Sequence, residues 1–452
     1  MRAVALTRRL ACIGALLAAQ WAAAGAAISG AAPHAAAERL ELRAGTGKAP
    51  IDPPPAQLPI RNHDDSPLVA IHDSLYARAL LLRSGGTQAV IVVADVIMVP
   101  DGFYAQAVER IAAACGIGRE HVLLAATHVH TVPWSMGNGY GEVVMNGIMA
   151  AVAQAREHAE PVRVAAGDGQ AYINMNRDEA FAGGFILGQD PEGPSDKTVR
   201  VIGFMRADGS PLAILANYAV HAVTLYSSDT AGERAAMVSA DIPGVVDRFV
   251  DGHYAAHGTM TFWTSGAAGD QNPILMSYHA EPASDGKVRP TDLRAAGFML
   301  TQRLGQALAL QVIRVTDRLG PPEKSAALRF GQAVISCPAK PAPAGKVAPA
   351  AQAGVGATPT VRISYLGIGA VDLVGISGEV TTLIDRHLRA QPGARSPLLL
   401  LTLANGYSGY LPDDRSYARG ETFEVGKSQF APGCVEAAII GKTRQLLERA
   451  PQ

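Results

Sequence analysis

Charge of either sign is scarce in this 452-residue chain: 17% of positions are Asp, Glu, Lys or Arg, below the quarter usual for soluble domains. The 39 basic and 40 acidic residues nearly cancel. No net field therefore draws in a phosphate backbone or an anionic bilayer, and nucleic acid is not an expected partner. Past the N-terminal region, no stretch approaches the roughly 18 uninterrupted apolar residues of a membrane span, so the mature protein is expected to be soluble. Arg2, Arg8 and Arg9 precede the apolar run Leu10 to Leu17 and then Ala-rich sequence. Residues 1–37 accordingly read as a secretory signal peptide. Ala22-Ala24, Ala24-Ala26 and Ala35-Ala37 are alternative cleavage sites, and an uncleaved anchor is the alternative to cleavage. Cys12 lies before most of the apolar run, where it cannot be a lipoprotein cysteine. The expected location is secreted or periplasmic in a bacterium. Cysteine is rare as well, with four in all. Export would leave Cys115, Cys337 and Cys434, enough for one disulfide at most. Cys337 with Cys434 is the expected pair, because Cys115 sits in the apolar helical stretch Ala105 to Cys115, typical of a buried thiol.

What the chain has is length and 48% hydrophobic residues, enough to bury a large core. Strand-like and helix-like segments alternate, which predicts an α/β protein. Leu75 to Leu82 and Gln88 to Ala94 read as strands joined at Ser84-Gly85-Gly86, and Val199 to Met205 and Leu212 to Ala219 as a second hairpin. His121 to Ala126 is an apolar strand. Helices are expected over Gly102 to Ala114, Gly141 to His158, Pro243 to Ala255, Leu293 to Val315, Val380 to Ala390 and Glu436 to Arg449. Cys337 to Pro359 is nearly all Pro, Ala, Gly and Lys and has no residues to pack a core. It is expected to be a flexible insertion, about 338–359, between two strands of a single domain over 38–452.

The chemistry concentrates at strand ends. Leu123 to Thr131 is an apolar strand running into His128 and His130, which would point to the same side if the backbone stayed extended. Leu215 to His221 repeats the pattern. Val371 to Glu379 delivers a carboxylate through a glycine turn to a helix start, where a first-turn acid alone would only complement the helix dipole. Together, two or three histidines and a glutamate are the donor set of zinc or another borderline divalent metal.

Five segments now occur in order: Thr127-His128-Val129-His130-Thr131, Asn217-Tyr218-Ala219-Val220-His221, Gly269-Asp270-Gln271-Asn272-Pro273, Gly378-Glu379-Val380-Thr381-Thr382 and Asn405-Gly406-Tyr407-Ser408-Gly409-Tyr410. With Gly45 to Pro54 and Asp73 to Ala79, their order and spacing resemble the neutral/alkaline non-lysosomal ceramidase family over roughly residues 44 to 425. The resemblance implies mixed β-sheets flanked by helices, and Zn2+ held by His128, His221, Glu379 and Tyr410. It also implies that His130 and Arg177 hold the substrate's polar groups. Tyr407 could exchange roles with Tyr410, and Arg177 could equally form an ordinary surface ion pair. The implied reaction is metal-assisted hydrolysis of an amide in an N-acyl lipid, ceramide-like first, with other acyl amides or esters as the alternative.

Two departures stand out. Where the family commonly shows Gly-Asp-x-Ser-Pro with a serine proposed as essential, this chain carries Asn272, whose amide cannot act as a hydroxyl nucleophile. Either water does all the work, with Asn272 donating a hydrogen bond, or the substrate differs. The sequence also ends soon after Tyr410, so the C-terminal immunoglobulin-like domain of such ceramidases is expected to be missing. A non-catalytic zinc-containing binding protein is the rival from another class. A serine hydrolase is disfavoured, because no G-x-S-x-G elbow is present.

Overall fold

Strands that are apolar at every position need cover on both faces, and in the computed structural model of the chain three mixed sheets receive it. The structure describes residues 41–449 apart from 138, 182, 286, 324–325, 342–357 and 394–396. The expected signal peptide, 1–37, lies outside the described residues, as does most of the Pro/Ala-rich insertion. The first sheet runs Val122–Ala126, Thr87–Ala94, Tyr76–Ser84, Leu42–Pro50 and Glu160–Pro161. The second runs Met260–Ser265, Pro211–Tyr218, Thr198–Met205 and Arg163–Gln170. The third runs Leu328–Ser336, Thr360–Ile368, Val371–Ile376 and Leu398–Leu401.

Side-chain alternation along each strand divides the apolar residues between two surfaces. Leu80, Ile91 and Leu123 of the first sheet, Ile202, Phe204 and Leu215 of the second, and Leu366, Leu373 and Leu399 of the third share one core. The neighbours of these residues face outward onto helices. Leu81, Val92 and Leu124 pack on Val108 and Ile148 of the helices Asp101–Cys115 and Tyr140–Glu157. Val201 and Ile214 pack on Val246 and Leu308 of Asp241–His253 and Gly297–Thr316. Val374 and Leu400 pack on Ile384 and Ile439 of Thr382–Arg389 and Val435–Arg449. Contact is closest at the Gly45-Thr46-Gly47 motif. A Cβ at Gly45 or Gly47 would meet the carbonyl oxygens of Ala155 and Ala151 at 2.1 and 2.0 Å, so only glycine lets the helix lie on that strand.

Each sheet contains one parallel pair: Thr87–Ala94 with Val122–Ala126, Pro211–Tyr218 with Met260–Ser265, and Val371–Ile376 with Leu398–Leu401. The C-terminal ends of these pairs converge, the position where α/β folds place ligands. Both predicted hairpins form, with Ser84 opposite Thr87 and Phe204 opposite Ala213. The strands flanking the insertion pair along their whole length, from Ser336 opposite Thr360. Cys337 and Cys434 form a disulfide, and Cys115 is free and buried. Among the described residues, no helix is long and apolar enough to cross a membrane.

Two local expectations are corrected. The strand before the histidines ends at Ala126, and His128 turns left-handed with φ +64°, so extended-strand alternation does not orient the His128 and His130 rings. Glu379 lies in the short strand Glu379–Val380, and the helix begins only at Thr382, so Glu379 is not a first-turn helix acid.

Candidate metal centre and cleft

Strand ends bring the donors together. After Ala126 the chain is fastened by backbone bonds from His128 N to Val96 O at 3.1 Å and from His130 N to Ala222 O at 3.3 Å. These long-range bonds hold His128 in a conformation a non-glycine residue rarely adopts. His221 follows Pro211–Tyr218 and its N–H donates to Gln271 O at 2.9 Å. Glu379 pairs in parallel register with Tyr410, which sets the carboxylate beside the phenol. Asn405, at φ +61°, accepts from Leu124 N at 2.7 Å and donates to Val122 O at 3.1 Å. It thereby ties the tyrosine-bearing loop to the strand that delivers His128.

Tautomers are set from behind. His128 Nδ1 bonds Ile97 O at 2.8 Å, and His221 Nδ1 bonds Ala268 O at 2.7 Å. A carbonyl can only accept, so both Nδ1 atoms carry a proton and both Nε2 atoms face inward, the orientation of metal-ligating histidines. Glu379 Oε2 lies 3.3 Å from His128 Nε2 and 3.0 Å from His221 Nε2. His130 Nε2 is 3.4 Å from His128 Nε2. The ligand atoms of His128, His130 and His221 lie within 4.8 Å of one another, and all three residues are buried. Burial, with Arg177 and His128 adding to it, lowers His221 to about 4. Burial and the neighbouring imidazoles take His130 well below its ordinary value. Burial alone would raise Glu379, but His128 and His221 outweigh it and hold the carboxylate well below the usual range. Imidazole nitrogens gathered around a carboxylate, none with an alternative partner at Nε2 except one another, Tyr410 and Glu379, suit a divalent cation.

The two tyrosines both reach this centre. Tyr407 donates to Glu379 Oε1 at 2.8 Å. Tyr410 OH is 3.5 Å from His221 Nε2 and accepts from Arg177 Nη2 at 3.1 Å. Arg177 is 3% exposed, so the surface-pair reading is set aside. Its Nε donates to Glu424 at 2.7 Å, Nη1 to Asn272 Oδ1 at 3.2 Å and Nη2 also to Gly269 O at 2.7 Å. Four of the five N–H groups of a guanidinium are thus used within the protein. Asn272 Nδ2 donates only to Met276 Sδ, at 3.4 Å, a weak acceptor that leaves the amide available to a ligand. Asp270 accepts from Thr382 N and Oγ1 and from Asn176 Nδ2 and braces the glutamate strand.

A cleft of about 2630 Å³ opens onto these groups, lined by His128, His130, Arg177, Asn272, Glu379 and Tyr410 and by Met98, Met136, Met175, Met276, Trp134 and Leu275. It far exceeds the roughly 300–1,000 Å³ of a drug-sized pocket.

Among solved structures, a ceramidase complexed with C2 superposes with TM-score 0.69 at 18% identity, over 91% of this chain and 76% of that one. The neutral ceramidase from Pseudomonas aeruginosa gives TM-score 0.69 at 18% identity, over 91% of this chain and 75% of that one. The fold is that of the neutral ceramidases. No protein-family model matches the sequence. Within this ceramidase fold every sequence-predicted site residue comes to one place, with His221 set just behind the cleft wall. Sequence reasoning missed His63, whose ring lies 5.4 Å from His130 and 4.5 Å from Trp134, and Tyr226, 5.3 Å from His130. It also missed Glu424. None of the three falls in a motif, and only the fold brings them near.

Proposed function

We propose that the chain is an exported, zinc-dependent hydrolase of the amide bond in N-acyl lipids, ceramide-like ones first. The observation that carries this reading is the convergence of His128, His221 and Glu379, with both histidine tautomers fixed by backbone carbonyls, at the floor of a large apolar cleft. His128, His221 and Glu379 would hold the metal, with Tyr410 as fourth donor. Zinc there would supply Lewis acidity and lower the pKa of a water from about 15.7 to about 7.

The chain's own residues supply positioning. His130 Nδ1 is buried with no protein partner, a costly state unless a ligand or water completes it. That free nitrogen supports a role for His130 in taking a polar group of the substrate. Asn272 Nδ2 offers a donor on the neighbouring wall, and its Oδ1 is pinned by Arg177. Methionines along the cleft give an adaptable apolar surface for an acyl chain. Export rests on the N-terminal sequence alone.

The test is metal content by plasma mass spectrometry and ceramide hydrolysis on one preparation of the mature protein, wild type against His221→Ala. Stoichiometric zinc and turnover, both lost in the variant, are the expected result. Zinc without turnover of ceramide turns the search to other acyl amides and esters, and no zinc in the wild type refutes the ligand assignment.

A further inference from the structure

Behind Arg177 the fold buries more carboxyl groups than one guanidinium neutralises. Asp178 is 2% exposed and Glu424 is fully buried. Glu424 Oε1 takes the Arg177 Nε–H at 2.7 Å, but Glu424 Oε2 and Asp178 Oδ1 receive no N–H or O–H from the protein. The third carboxyl nearby, Asp270, has its donors in Thr382 and Asn176. Two buried acceptors lacking donors would each carry a desolvation penalty, and two ionised carboxylates in contact would repel. A shared proton removes both costs, and the two carboxyls flank one guanidinium: Asp178 follows Arg177 directly in the strand Asn174–Phe181, and Glu424 holds the Arg177 Nε–H.

We propose that Asp178 and Glu424 share one proton, so that the pair carries a single negative charge matched to Arg177 and holds the guanidinium on Asn272 and Tyr410. Asp178 and Glu424 are thus positioning residues acting through Arg177. Burial first, and the Glu424 charge second, push the Asp178 carboxyl well above the usual carboxylate range. The groups facing it are Arg177 on its own strand, Glu424 on Phe423–Lys427, Asp270 on the turn before Gln271–Pro273, and Arg419 on Asp414–Arg419. Arg419 Nη2 lies 3.5 Å from the Asp178 backbone oxygen and pairs with Asp190 at 3.1 Å.

The shared proton belongs to the folded chain and is tested without substrate. Only its consequence for Asn272 and Tyr410 rests on the hydrolase reading. Because the folded value of Asp178 lies above the unfolded one of about 3.9, this group lowers the folding constant about tenfold per pH unit above about pH 4 for as long as the folded pair keeps its proton. Asp178→Asn keeps a neutral donor toward Glu424 and removes that slope. Denaturant unfolding of both proteins should show the variant gaining about a hundredfold in folding constant relative to wild type between about pH 6 and pH 8. Parallel stability profiles would overturn the proposal. Infrared spectra of protein carrying 13C-labelled aspartate give a second readout that needs no Asp178 variant. At mildly alkaline pH a protonated-carboxyl band is expected in wild type. One component of it should vanish in Glu424→Gln, where Asp178 becomes the counter-ion of Arg177 and ionises. No such band, or a band unchanged in Glu424→Gln, would overturn the shared proton equally.

Discussion

Replacing Arg177 by alanine separates two pictures of this residue by magnitude. An exposed ion pair contributes about 0–1 kcal/mol, whereas removing one partner of a buried pair costs about 3–5 kcal/mol because the remaining charge stays desolvated. Arg177 is 3% exposed, and Glu424, its partner at 2.7 Å, is fully buried. Gly269 O, Asn272 Oδ1 and Tyr410 OH lose their donor in the same step. Arg177→Ala should therefore destabilise the protein by about 3–5 kcal/mol, a large share of the roughly 5–15 kcal/mol of a typical fold. Equilibrium urea denaturation measures this as a lowered midpoint at unchanged slope. Arg177→Lys should recover only part of the loss, since an ammonium has three donors and no planar fork. A loss below about 1 kcal/mol at unchanged slope would refute the reasoning, because it would mean that Glu424 is solvated or neutralised without the guanidinium.

Gly269→Ala puts a Cβ 2.8 Å from the carbonyl oxygens of Glu379 and Val380. The glutamate strand must then shift, and a loss of about 1–3 kcal/mol together with reduced metal content is expected. Wild-type stability with wild-type metal content would show that the strand is free to move. Burial lifts Asp95 to about 6 from an unfolded value of about 3.9, so its stabilising proton is lost as pH rises through about 4 to 6, a change worth about 3 kcal/mol. Asn at that position can still accept from Tyr76 N, now at 2.8 Å from Asp95 Oδ2. Asp95→Asn should remove that part of the pH dependence, and superimposable denaturation profiles would contradict the assignment.

Much of the fold was legible because it is written locally. Runs such as Ala89 to Ala94 and Val122 to Ala126 are apolar at every position, a pattern that only two-sided burial explains, and both faces are indeed covered. The helices Tyr140–Glu157 and Val435–Arg449 begin and end within a residue of expectation. The strand Arg163–Gln170 was not legible. It carries Gly167 and Gly169, which weaken strand propensity, yet a Cβ at Gly169 would meet Val315 Cγ2 at 2.5 Å. There the helix Gly297–Thr316 selects glycine against strand propensity, a requirement set by tertiary packing and silent in the local pattern.

The site divides along the same line. His128, His221 and Glu379 announce themselves because each ends an apolar strand, but the premise offered for His128 and His130 failed. Their rings meet through a left-handed residue held by Val96 O and Ala222 O, contacts no local pattern encodes. Glu424 is silent for a related reason, since an acid in the first turn of the short helix Phe423–Lys427 looks solvated until Arg177 is seen beside it. Asn272 shows what the combination adds. The sequence says only that a hydroxyl is absent, whereas the structure shows its Oδ1 held by Arg177 and its Nδ2 left facing a thioether. A side chain held that way presents a hydrogen-bond donor to the cleft and no nucleophile. Asn272 therefore cannot itself attack a carbonyl, which makes the occupancy of the His128, His221 and Glu379 centre the deciding test of the hydrolase reading.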